Sequence, residues 1–324
     1  LKPDNKILLI LLAAILFSAC GGLPTKRDYV FYDIAEGYDF IETGDLLLSR
    51  NQLEAGLHNY LRAYEKFTLI DFRNGKLTSS ALISRVYLKL GDNDNALKWI
   101  NRCEENLDND IKTFPELSLL KAEYYLNEKN FDKILELTRQ ELLEGFDFIT
   151  ILELTAYRII ALIQSAKEYS KELLFLRSSI TLIEEKDELH TFDNPLSLSF
   201  IYYTLGYVSS KEGKWKFAAF YFDKSLAIDK AYRHYSGIAD NLYAIGVAYK
   251  NLNDYESAKK NLVSAIEVFG FINDQYNKEL AESELLLLNF VTGIEKEESR
   301  NRLLEIYSKT ENIELKKKID SLIK

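Results

Sequence analysis

The sequence predicts an all-α protein of the α-solenoid kind, and three observations carry that expectation. Gly and Pro are scarce, 14 and 4 in 324 residues, too few for the many tight turns of an all-β chain. Leu is abundant, and 21 Tyr and 18 Phe supply large side chains of the kind that fill gaps between packed helices. A pattern of small and large residues also returns with a period of about 40 residues. With 47% hydrophobic and 28% charged residues, the chain has the composition of a folded core rather than of a disordered segment. Its 41 basic residues stand against 50 acidic ones, and a net charge of -9 disfavours a nucleic-acid backbone as the main partner.

Residues 1–19 read as an address rather than a fold. Lys2 and Lys6 give a short positive head, and Ile7 to Phe17 is an uncharged apolar run. That run is shorter than the roughly 20 residues a membrane-spanning helix needs, and it fits the apolar centre of a signal peptide. It ends in Phe17-Ser18-Ala19-Cys20, which resembles the lipobox of bacterial lipoproteins, with Phe17 where that pattern prefers Leu. The resemblance implies cleavage before Cys20 and lipidation of its sulfur and new amine, an attachment that two or more acyl chains make stable. Residues 20–29 would then be the lipidated Cys and a flexible tether that includes Gly21-Gly22-Leu23-Pro24-Thr25. The only other cysteine is Cys103, which is expected to pack as a small core residue.

From residue 30 to 324 the chain reads as one helical repeat domain. Its clearest repeats, at about 198–232 and 236–270, run Leu205-Gly206-Tyr207-Val208 to Ala218, Phe222, Ser225 and Leu226, and Ile245-Gly246-Val247-Ala248 to Ala258, Leu262, Ala265 and Ile266. In each copy a small residue is followed twelve positions later by Ala, with an apolar residue and then another small one beyond it. Two antiparallel helices that approach closely require this: small residues where the backbones cross, large ones in the flanking gaps. The links carry turn residues, as in Glu212-Gly213 and Asn253-Asp254.

The pattern resembles the tetratricopeptide repeat in a long variant. The resemblance implies a right-handed α-solenoid of about six to seven tetratricopeptide-like helix pairs with a C-terminal capping helix. Weaker units follow the same offsets upstream: Gly44, Gly56, Tyr60 and Ala63; Ser84, Gly91, Ala96, Ile100 and Cys103; Ala122, Phe131 and Ile134, with Thr138 where a large apolar residue is expected. A degenerate pair is expected over 149–165 and 169–182, and a last one over 280–291 and 300–310. Pro115 and Pro195 fall between units, and 184–194 is the longest polar interruption.

Catalytic and cofactor chemistry has no recognisable motif. His58, His190 and His234 lack metal-ligand spacing, and there is neither a Gly-rich phosphate loop nor a G-x-S-x-G elbow. Adjacent carboxylates such as Glu104-Glu105 diverge on a helix and read as solvated faces. The expectation is therefore a protein that is not an enzyme and holds no cofactor and no metal.

In the tetratricopeptide family the first helix of each unit lines a groove for an extended peptide or partner helix. Carried onto this sequence, the groove positions are Phe200, Tyr203 and Tyr207, then Asp240, Tyr243 and Val247 with Lys250 further along, and Tyr38, Ile41 and Arg85 upstream. Phe200, Tyr203 and Tyr207 share one helical face by their spacing. The Lys and Asn set that clamps a C-terminal carboxylate in chaperone adaptors is missing. Together these readings predict a lipid-anchored envelope scaffold, facing the periplasm from the outer membrane and docking a protein or extended peptide. The alternatives are a glycan- or peptide-binding uptake lipoprotein and a cytosolic peptide-sensing regulator.

Overall fold

Residues 26–107, 114–185, 194–293, 296–310, 316–317 and 319–320 are described by the computed structural model. The expected signal peptide over 1–19, Cys20 and His190 lie outside them. The described residues form fifteen helices and no strand, in a repeat arrangement that matches the expected all-α fold. Contacts divide the chain into two compact units, Leu1–Asp108 and Asn109–Lys324.

The first unit holds α1 (Lys26–Leu48), α2 (Leu53–Leu69), α3 (Arg73–Lys89) and α4 (Asn93–Glu105). The second begins with α5 (Glu116–Asn127), the short α6 (Phe131–Leu137) and α7 (Gln140–Leu143), then α8 (Phe148–Gln164) and α9 (Ser170–Glu185). It continues with α10 (Pro195–Lys211), α11 (Trp215–Ala231), α12 (Tyr235–Asn251), α13 (Tyr255–Phe271), α14 (Gln275–Thr292) and α15 (Lys296–Lys309). Pro195 occupies the first turn of α10, where its missing N–H is no loss, and Asn194 caps that helix.

The period of the repeat comes from its links. From α10 to α13 every helix has 17 residues and is joined to the next by a link of the same form. In each link one residue turns into the left-handed region: Gly213 (φ 71), Arg233 (φ 53), Asn253 (φ 61) and Asn273 (φ 58). The following N–H then reaches back to the carbonyl five residues earlier, as Lys214 N to Ser209 O at 2.8 Å and Asp254 N to Tyr249 O at 3.0 Å. This closes the carbonyl end of one helix as the next begins. Asp254 and Asp274 complete the link by accepting hydrogen bonds from Ser257 N and Asn277 N. The same turn joins α1 to α2 at Asn51, α2 to α3 at Asp71 and α3 to α4 at Gly91. Links within a pair and links between pairs therefore share one geometry.

Packing within a pair is set by small residues opposite large ones. A Cβ on Gly206 would lie 2.7 Å from the Phe222 ring, one on Gly246 2.8 Å from Leu262, and one on Gly44 2.4 Å from Tyr60. Each large residue stands at the same interval after its glycine. In the third unit that place is taken by Thr138, which is buried and donates its hydroxyl to Ile134 O at 2.7 Å. Lacking the large apolar anchor, α6 ends at Leu137, and the chain makes the extra turn α7 before Gly145 (φ 94). The sequence gives no sign of α7. The break leaves a cavity of about 680 Å³ lined by Thr138, Leu143, Ile151, Thr155, Arg158 and Phe175. Cys103 is buried as expected, its thiol 3.8 Å from Leu77 O.

Gly206→Ala should push Phe222 out of place and destabilise the chain by about 1–3 kcal/mol, as overpacking does elsewhere. Chemical denaturation of the variant beside the wild type checks this, with circular dichroism as the readout.

Candidate functional site

The first helices of successive pairs in the second unit, α8, α10, α12 and α14, bring their tyrosines and a carboxylate to one face. At one end Phe200 is only partly exposed, because its ring packs on Tyr157 of α8 with centroids 4.5 Å apart. Two turns further along α10, Tyr207 accepts a hydrogen bond from Gln164 Nε2 at 2.8 Å, and Lys211 Nζ sits 5.2 Å from the centre of its ring. Tyr203 lies between them, its ring 5.3 Å from Phe222 of α11. Of the three aromatic residues expected on this face, Phe200 is thus mainly a packing residue. Tyr203 and Tyr207 present hydroxyl groups.

On α12, Asp240 and Tyr243 continue the same face. Burial raises the Tyr203 hydroxyl above the ordinary tyrosine range, and the charges of Asp240 and Tyr207 add to the effect. Burial likewise raises Tyr243, reinforced by Glu284, Tyr203 and Tyr276. Asp240, partly buried, is raised to about 7, first by burial and then by the Asp274 and Asp229 carboxylates. The two neighbouring carboxylates are occupied. Asp274 caps α14 through Asn277, and Asp229 is held inside a hydrogen-bonded network. Asp240 makes no hydrogen bond or ion pair among the described residues, and neither the Tyr203 nor the Tyr243 hydroxyl has a hydrogen-bond partner there.

Lys250 does not project as a free cation. It pairs with Glu284 of α14, whose side chain is 4% exposed. The charge expected to act as a groove cation instead ties α12 to α14. Val247 is half-buried on the same helix face. In the first unit, Tyr38 packs edge-on against Phe67 at 5.3 Å, and Ile41 joins the core around Tyr60 and Val86.

Beneath the face lies a polar network that the sequence analysis did not find. Asp229, 2% exposed, accepts from the Ser199 hydroxyl at 2.8 Å and from Asn241 Nδ2 at 2.8 Å. Asn241 Nδ2 also reaches Ser225 Oγ and Gly237 O, both at 2.9 Å. His234 Nδ1 lies 3.1 Å from Asp229, and its Nε2 lies 3.0 Å from the Ser236 hydroxyl. A carboxylate only accepts, so the Nδ1 proton points at Asp229. Gly237 is required for this packing, since a Cβ there would lie 2.3 Å from Asp229 Oδ2. The network joins α10, α11 and α12 through their polar groups. Its signal in the sequence is Asn241, a polar residue inside the stripe Ile238, Leu242 and Ile245 that α12 buries.

Two segments, 78–106 and 239–269, match the tetratricopeptide repeat model. The second coincides with one of the two repeats clearest in the sequence, while the first falls on α3 and α4, where the pattern is fainter. Among curated proteins no match is found. Among solved structures, the chain is similar to a signal-transduction ATPase of the STAND class with a tetratricopeptide repeat sensor, from Pyrococcus horikoshii. The identity is 14% and the TM-score 0.55; the similarity covers 96% of this chain and 47% of that one, so this chain spans about half the length of the ATPase. It is also similar to the apo form of RapI, at 16% identity and TM-score 0.50, over 90% of this chain and 80% of that one. A Rap protein complexed with Competence and Sporulation Factor matches at 17% identity and TM-score 0.51, over 85% and 75% respectively. These likenesses are of fold.

The Asp240 carboxylate, raised from its ordinary 3.8 to about 7, has a consequence for stability. The folded chain keeps that proton over a pH range in which the unfolded chain has lost it, so folding stability falls as pH rises from about 4 to about 7 and then levels off. Asp240→Asn should match the wild type near pH 4 and exceed it near pH 8 by on the order of a few kcal/mol. Denaturation curves of both proteins at a series of pH values measure the difference.

Proposed function

We propose that this chain is a lipid-anchored adaptor of a bacterial cell envelope, docking a protein or an extended peptide along the face formed by α10, α12 and α14. The observation that supports docking is a row of partly buried tyrosines beside a carboxylate whose hydrogen-bonding capacity the fold leaves unused. Tyrosines of this kind, apolar in body and polar at the tip, suit wet recognition surfaces. Tetratricopeptide repeats at 78–106 and 239–269 favour a protein-interaction role over catalysis, and one similar structure is a complex with a bound factor. The anchoring half of the proposal is supported by the sequence around Phe17-Ser18-Ala19-Cys20. Outer-membrane attachment facing the periplasm is the placement consistent with Gly21 after that cysteine. Among the described residues no helix is long and apolar enough to cross a membrane.

The cavity of about 680 Å³ beside α7 gives the solute-uptake alternative a location of its own, apart from the tyrosine face. A thermal shift produced by small glycans and abolished by Phe175→Arg would favour that alternative.

Two measurements test the adaptor. Metabolic labelling with an alkyne fatty acid should mark the wild type and leave Cys20→Ala unlabelled and released from membranes. Affinity capture from detergent-solubilised envelopes should retain a partner on the wild type. A Tyr203→Ala/Tyr207→Ala/Tyr243→Ala variant, with its helicity checked by circular dichroism, should lose that partner. Equal retention by both baits would move docking to another surface.

A further inference from the structure

The buried polar network ends in two groups that its structural role does not use. Asp229 of α11 ties α10, α11 and α12 together through Ser199 and Asn241. His234 and Ser236 add nothing to that tie, because they belong to the link and first turn by which α12 already follows α11. They form instead a line that leads outward. The Asp229 side chain is 2% exposed and that of His234 29%, and Ser236 is partly exposed. Asp229 Oδ1 lies 3.1 Å from His234 Nδ1, and His234 Nε2 lies 3.0 Å from Ser236 Oγ. With the Nδ1 proton directed at Asp229, Nε2 turns its lone pair to the serine, and the Ser236 hydroxyl donates to it.

A serine hydrogen-bonded to a histidine that a buried carboxylate orients has the arrangement of an activated nucleophile, which is recognised by geometry on unrelated folds. Asp229 also accepts from Ser199 Oγ and Asn241 Nδ2, so three donors fix it against the ring. Donors for a developing oxyanion are present as well. Ser236 and Gly237 stand second and third in α12, and the N–H groups of a helix's first turn lack intrahelical partners. The His234 side chain does not cap them, and neither amide has another hydrogen bond among the described residues. They belong to the serine itself and to the residue after it, so covalent connectivity keeps them beside Oγ. Gly237 brings no side chain to cover them, and the start of a helix favours negative charge.

We infer that Ser236 is an acyl-accepting nucleophile and that the link between α11 and α12 is an esterase site for small acyl esters. The inference goes beyond the docking reading and does not depend on it. Ser236 Oγ attacks the ester carbonyl carbon while His234 Nε2 takes the hydroxyl proton. The amides of Ser236 and Gly237 receive the charge on the carbonyl oxygen, and Asp229 stabilises the imidazolium. His234 then gives its proton to the departing alcohol oxygen, whose bond to the acyl carbon breaks, leaving an acyl-serine. Water attacks that carbon and yields its proton to the same Nε2, which passes it to Oγ as the carboxylic acid leaves. A partly exposed serine on a link suits a compact acyl group such as acetyl, which requires no deep pocket.

The test uses the full chain, purified in mild detergent, with p-nitrophenyl acetate as the probe. The wild type should release p-nitrophenolate about a hundredfold faster than Ser236→Ala or His234→Gln, the worth of one positioned base. Quenched early in the reaction, it should carry one acetyl group that peptide mass mapping places on Ser236. A biotinylated fluorophosphonate should label the same serine in the wild type and neither variant. Both replaced side chains are partly exposed, and thermal melts confirm that the variants are folded. Hydrolysis by folded Ser236→Ala at the wild-type rate would overturn the inference. An acetyl group found only on lysines or tyrosines would overturn it too, a result read from the wild type without any variant. Labelling of Ser236 that survives in folded His234→Gln would overturn the role given to His234, and the triad with it.

Discussion

Close crossing within each helix pair, with Gly44 under Tyr60, Gly206 under Phe222 and Gly246 under Leu262, is the contact on which the other features of the repeats depend. A side chain at any of these glycines would hold the two backbones apart, and the large residue would lose the hollow it fills. Because the same interval recurs, successive first helices meet their partners at the same height. That constancy brings Tyr203 of α10 onto one face with Asp240 and Tyr243 of α12, although the two helices belong to different pairs. Where the contact fails, at Thr138, the second helix of the pair is cut short and a cavity opens beside it.

The face and the network under it divide the polar work between them. Asp229, Ser199, Ser225 and the Asn241 amide nitrogen hydrogen-bond to one another and hold α10, α11 and α12 together, an arrangement that restricts the geometry of the helices above it. Asp240 is on the same helix as Asn241, yet its carboxylate is left out of the network. Keeping a carboxylate partly buried and unpartnered opposes folding, and such a group is tolerated where binding gains from it. Rigid support below and an unused charge above accord with the docking proposed for this face.

Most of this fold is legible in the sequence because its signals are local. The spacing of Gly206, Ala218 and Phe222 states which helix faces meet, and Gly213, Asn253 and Pro195 mark where helices end. The period of about 40 follows from one turn geometry repeated from α10 to α14, so residues such as Arg233 enter the left-handed region although nothing about their side chains predicts it. What escaped was relational. That Lys250 would be taken by Glu284, that Phe200 would stack on Tyr157, and that Asp229 would meet Ser199 all depend on helices from neighbouring pairs. The extra helix α7 escaped for a different reason. It is four residues long and follows from an absent anchor rather than from a signal of its own.

Uniform links also create an ambiguity that the chain has to resolve while it folds. When turns within pairs and between pairs are alike and neighbouring helices have equal lengths, a helix can find a plausible apolar partner on either side, or one unit too far along. Leucines and phenylalanines do little to distinguish these arrangements. Asn241 does, because its amide finds Asp229 and Ser225 only when α11 and α12 are stacked in their own order beside Ser199 of α10. In any slipped stack Asp229 would keep only the local His234 and lose Ser199 and Asn241. The network is therefore a registration key: it fixes the address of each helix in an array whose apolar contacts are nearly interchangeable.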